Sequence, residues 1–203
     1  MTQYHEQSQA VLSRLFALNL TPDRLVKIGA FVVSYGLFET SLERALWVLK
    51  EENVSGKRPF TEPLSSADWF KKFGEGNPAL SPKCNAVLKA SSEAAIDLAD
   101  YRNSLVHGQL VAIGGAPWFI RNPAWDGEKR KKSPGDAHTE EPMLDLAIAA
   151  ASTLFAVSRN AAKALQDREA HHAIEALEKD VHHAKSYANE LRYAAVLWNS
   201  EKY

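Results

Sequence analysis

From Met143 to Tyr203 the chain contains neither a glycine nor a proline. These are the residues that most readily end a helix or turn a loop. Their absence over such a length commits the C-terminal part to one very long helix, or to two with a tight joint. Its last portion carries a heptad stripe: Ile174, Leu177, Val181, Ala184, Ala188, Leu191, Ala195 and Trp198. Alanines in such a stripe let a partner helix approach closely, which suits either a self-association helix or a helix packed back on its own bundle.

Helix signals recur upstream. The apolar spacing of Val11, Leu12, Leu15, Phe16 and Leu18 predicts a helix over about 2–18. Thr21-Pro22-Asp23 offers a capping hydroxyl, a proline at the first helical position and an acid in the first turn, so a helix runs from there to about Lys50. Ser81-Pro82 repeats that logic and opens a helix ending at His107-Gly108. Between them lie a loop over 51–65 and a short amphipathic helix from Ser66 to Phe73. Gln109 to Ile113 and Trp118 to Arg121, split by Gly114-Gly115-Ala116-Pro117, read as a β-hairpin. Residues 122–138 read as a loop with a basic cluster, Lys129-Arg130-Lys131-Lys132. The expected organisation is a helical bundle over 1–165 and a C-terminal helix over 166–203 that serves packing or dimerisation.

With 203 residues, 45% of them hydrophobic and 24% charged, the chain is long and apolar enough to bury a core. A net charge of -1 gives no general attraction for polyanions, so any nucleic-acid contact needs a local patch. The single cysteine, Cys84, excludes an internal disulfide framework and fits a cytoplasmic setting. The N-terminus has no basic region followed by an apolar run, as a signal peptide would. The apolar stretch from Leu25 to Leu49 includes Lys27, Glu39, Glu43 and Arg44, too many charges for an expected membrane span.

Two charges fall on apolar stripes. Glu39 sits in the series Leu25, Ile28, Val32, Tyr35, Glu39, Leu42, Leu46, Leu49; Arg102 sits in Cys84, Leu88, Ser91, Ala95, Leu98, Arg102, Leu105. A lone buried charge is costly, so the two are expected to pair across neighbouring helices or to line a shared cleft. His107 shares a helix face with Asn103, four residues earlier. Arg102 lies about 140° round an ideal helix from His107. A histidine at a helix end also serves as a cap for its carbonyls.

Arg102-Asn103 followed by His107-Gly108 at a helix end resembles the motif of the HEPN family of bacterial ribonucleases and toxins. The stretch from Ile28-Gly29 through Leu37-Phe38-Glu39 to Leu46-Trp47 is similar to that family's glutamate-bearing helix. The resemblance covers about residues 21–165. It implies an all-α bundle of four or five helices, here with a small β-hairpin insertion and an extended C-terminal helix. It further implies a homodimer whose motif helices meet, and metal-independent endoribonuclease activity in a toxin or defence setting, with an antitoxin or other protein as a possible partner. Under it, Arg102 holds the scissile phosphate, His107 acts as general base or acid, Asn103 positions the histidine or the phosphate, and Glu39 orients Arg102. RNA affinity would rest on Lys129, Arg130, Lys131 and Lys132. The alternative is a non-catalytic RNA- or protein-binding module of the same shape.

No cofactor or metal is expected. His171-His172 and His182-His183 lack the four-residue spacing of a helical metal site and read as exposed histidines. Gly74-Glu75-Gly76 lacks the lysine of a phosphate-cradling loop. Trp118, Phe119 and Trp125 offer base-stacking rings, or hydrophobic cover for the bundle.

Overall fold

The computed structural model describes residues 2–53, 60–121 and 135–201, without the side chains of 195–201. Seven helices and three strands lie among them: α1 (Gln3–Ala17), α2 (Pro22–Leu49), α3 (Ser66–Gly74), α4 (Pro82–His107), β1 (Gln109–Ile113), β2 (Ala116–Arg121), β3 (Gly135–His138), α5 (Glu141–Ala161), α6 (Arg168–Ala176) and α7 (Glu178–Glu201). The fold is largely helical, with a small antiparallel sheet in the order β1-β2-β3.

The caps form as their residues dictate. Thr21 Oγ1 accepts from the Arg24 amide at 3.3 Å and Ser81 Oγ from the Cys84 amide at 3.0 Å, each ahead of a proline that needs no hydrogen bond at that position. Ser65 and Asp68 close a reciprocal capping box on α3.

α2 packs along α5, and α4 lies against α7, which also reaches α5. Phe31, Phe38, Leu42, Leu46, Leu88, Leu98 and Leu154 are fully buried in the single core these helices share. Truncating any of the large ones would cost about 2–5 kcal/mol in lost burial and cavity formation. α2 and α5 are also long and apolar enough, by length and composition alone, to cross a membrane. Here one side of each packs on the core, and 22% of the apolar stretch of α2 and 39% of that of α5 is buried.

Two expectations change. The glycine-free C-terminal part is three helices, α5, α6 and α7, rather than one or two. After Ala161 the chain tightens into bonds from Lys163 N to Asn160 O and from Ala164 N to Ala161 O, and Asp167 caps α6 by accepting from the Glu169 amide at 2.9 Å. Such three-residue bonds satisfy a helix end without a left-handed glycine. Residues 135–138, read as loop, form β3, which pairs with β2 through Trp118↔His138, Phe119↔Ala137 and Ile120↔Asp136. The heptad stripe faces inward, with Ile174, Val181, Ala184, Ala188 and Leu191 in the common core. It is a packing surface of the chain's own bundle. Ala195 and Trp198 lie outside the described side chains.

The hairpin turns on Gly114 and Gly115, whose φ of 58° and 83° are the left-handed pair a type I′ turn requires. α1 buries none of its residues.

A candidate catalytic face on helix α4

Glu39 and Arg102 are not inside the core. The inward line of α2 passes through Phe38, next to Glu39, and that of α4 passes through Tyr101, next to Arg102. The two charges therefore sit on the core's rim. Their side chains keep 28% and 30% of their surface exposed, with Arg102 Nη2 3.7 Å from Glu39 Oε2. The helices pair them as the stripes suggested, but in a half-open groove rather than in a sealed interior, where both would have lost their water.

Arg102 is held from three sides. Its Nη1 donates to Asn103 Oδ1 at 3.0 Å, its guanidinium carbon lies 5.6 Å from the centre of the Tyr35 ring, and Glu39 faces its other nitrogen. A planar guanidinium favours an aromatic face and a carboxylate at once. Tyr35 is buried one turn before Glu39 on α2. Burial pushes its hydroxyl far above the usual tyrosine range, with Glu39 adding to the shift, so it remains neutral. Partial burial likewise raises the Glu39 carboxyl above its ordinary value, and Arg102 opposes that rise.

His107 ends α4 with its side chain exposed, and its imidazole makes no hydrogen bond or ion pair among the described residues. It does not cap the helix with its ring. The Gly108 amide closes the last turn instead, donating to Ser104 O at 2.8 Å. Gly108 is extended, with φ -80° and ψ 155°, and is not the left-handed terminator common at helix ends. Glycine is required there by close approach: a Cβ would stand 2.3 Å from Ser104 O and 3.1 Å from Phe119 Cβ. β2 thus passes directly over the end of the motif helix.

The geometry brings Glu39, Arg102 and Asn103 together and sets His107 apart from Arg102 on the same helix. Lys129, Arg130, Lys131, Lys132 and Trp125 lie outside the described residues. Trp118 is buried, with its ring centre 3.7 Å from that of His138, so it is cover for the bundle. His172, His182 and His183 are exposed, whereas His171 is half-buried, its Nε2 accepting from the Ser81 amide at 3.3 Å. Among the described residues no group of His, Cys, Asp and Glu is placed to hold a metal ion.

Sequence reasoning missed two members of this face. Tyr35 stood in a stripe as a core residue, although its spacing of four from Glu39 places it under any partner of that acid. Arg121, at the end of β2, reaches Asp100 on α4 at 3.2 Å. Asp100 precedes His107 by seven residues, so the two share a helix face.

No family model, no curated protein and no solved structure matches the chain.

Proposed function

We propose that the chain is a metal-independent endoribonuclease of the HEPN kind, acting in the cytoplasm in a toxin or defence setting, with its active site completed by two copies. The observation that carries this reading is the pairing of a positioned guanidinium with an open imidazole on one short helix segment. Arg102 is braced by Glu39, Asn103 and Tyr35 yet partly exposed, and His107 stands exposed with no hydrogen-bond or ion-pair partner among the described residues.

The chemistry asked of them is modest. His107 takes the proton of a ribose 2′-hydroxyl, whose oxygen attacks the adjacent phosphorus. The bond from phosphorus to the 5′-oxygen breaks, that oxygen is protonated, and a 2′,3′-cyclic phosphate remains. An imidazole titrates near the pH at which both proton transfers are feasible. Arg102 stabilises the charge that gathers on the phosphoryl oxygens. Asn103 and Glu39 keep the guanidinium aimed.

Arg102 and His107 point about 140° apart on an ideal helix. Two α4 helices related by a two-fold axis would let Arg102 of one chain meet His107 of the other. A second surface for self-association, separate from the α4 contact, lies on α2 about 150° round that helix from Glu39, where Val26, Ala30, Val33 and Leu37 are exposed at helical spacing. Gly29 and Gly36 flank that line with open space where a side chain would be. The same face also suits an antitoxin or another protein partner. RNA would be gathered by Lys129, Arg130, Lys131 and Lys132, which lie between Arg121 and Gly135 in the sequence.

The test is cleavage of single-stranded RNA in the presence of a chelator. Wild type should yield cyclic-phosphate ends, and folded Arg102→Ala and His107→Ala variants should not. A wild type inert towards varied RNAs would leave a non-catalytic binding module.

A further inference from the structure

We infer that Arg121 is a second phosphate-binding residue, latched by Asp100 until an RNA phosphate takes the carboxylate's place. This rests on the ribonuclease reading for the location of the scissile phosphate.

The placement comes first. Asp100 lies about 20° round the helix from His107 and about 10 Å along its axis, so a strand bound at His107 would run past it. Arg121 reaches that point from the sheet. Its partner in β3 is Gly135, where a Cβ would stand 2.9 Å from Arg121 Nη2 and 3.0 Å from Ser104 Oγ. Glycine at that position leaves room for the guanidinium between the sheet and the α4 turn preceding His107. Arg102 lies on the opposite flank of α4, so within one chain Arg121 is the arginine on the histidine side.

The latch is weak by construction. A single contact of 3.2 Å joins Arg121 Nη2 to Asp100 Oδ1, and the Asp100 side chain is 63% exposed against 22% for Arg121. Arg121 Nε is buried beside Gly135 and makes no hydrogen bond among the described residues, so the phosphate would be met by the outer nitrogens. A pair with one exposed partner adds little stability because water and salt compete for the carboxylate. A phosphate offers more, since its oxygens match the guanidinium fork and can engage two donors together.

Binding of a fluorescent single-stranded oligoribonucleotide, measured in a His107→Ala background to prevent cleavage, tests this. Adding Arg121→Ala should weaken binding about tenfold, as loss of one charge-assisted contact does, and lower the salt slope by about 0.7. Adding Asp100→Asn should tighten binding about threefold by freeing Arg121. If Arg121 only fastens the sheet to α4, Asp100→Asn will leave binding unchanged or weaker, and that result overturns the proposal. Should Arg121→Ala fail to fold, Asp100→Asn decides alone. RNA held through Arg121 without cleavage by wild type would sink the ribonuclease reading and leave the anchor standing.

Discussion

Arg102 on α4 faces Glu39 on α2 at 3.7 Å, in a groove that leaves nearly a third of each side chain in water. That openness sets the size of the pair's contribution. A sealed pair that loses one partner costs about 3–5 kcal/mol. A part-exposed pair contributes about 0–1 kcal/mol, and the contact with Tyr35 adds about 0.5–1 kcal/mol. Arg102→Ala should therefore lower stability by only about 1 kcal/mol, or about 2–4 °C in a domain of this size, while removing cleavage. A thermal melt beside an RNA assay separates the two effects.

Glu39 should give stability a distinct pH dependence. Burial holds its carboxyl above the ordinary value of 4.5 in the folded chain, with Arg102 pulling the other way. Between the ordinary and the raised value the folded chain binds more protons at this site than the unfolded chain. The Glu39 contribution is therefore most favourable at low pH and is lost as pH rises through that window. Glu39→Gln should flatten this part of the curve. Urea unfolding of both proteins at stepped pH measures it, and parallel curves would show that Glu39 is not desolvated.

Gly108→Ala tests how closely β2 crosses the motif helix. The new methyl would meet Ser104 O at 2.3 Å and Ile120 N at 3.2 Å, both backbone atoms that cannot rotate aside. The hairpin or the last turn of α4 must move, at a cost of about 1–3 kcal/mol. Because His107 occupies that turn, cleavage should fall as well. A variant with wild-type melting temperature and activity would contradict the crossing.

The outer face of α2 should carry self-association. Val33 is 64% exposed and Leu37 49% exposed, so Val33→Glu disturbs no packing within one chain. Light scattering should find Val33→Glu in a smaller assembly than wild type, with the same helical content. A wild type that stays monomeric at high concentration would remove this interface from the account.

The local features of the fold were legible in the sequence. Thr21-Pro22 and Ser81-Pro82 marked the starts of α2 and α4 because a cap acts within three residues. The ends of α5 and α6 were not, because they are made by backbone bonds such as Leu177 N to Ile174 O, with no glycine to announce them. β3 was hidden for a different reason. Gly-Asp-Ala-His is a poor strand former, and only pairing with β2 and burial of Asp136 and Ala137 make it one.

The candidate site was partly legible in the same sense. Apolar spacing showed that Glu39 and Arg102 needed partners, but alternating steps of three and four cannot tell a stripe's centre from its edge. Phe38 and Tyr101 hold the centre, leaving the charges at the rim. The link from Arg121 to Asp100 joins residues far apart in the chain, and no local spacing encodes it.

The central claim is that Arg102 of one chain and His107 of another form one site. Mixing the two inactive variants, Arg102→Ala and His107→Ala, tests it most directly. A two-fold dimer of one variant with the other contains one site with both residues intact. After subunit exchange, equal amounts of the two should regain about a quarter of wild-type RNA cleavage, since half the dimers are mixed and each holds one working site. A mixture that stays inactive while wild type cleaves would contradict the composite site and put Arg102 and His107 to work within a single chain.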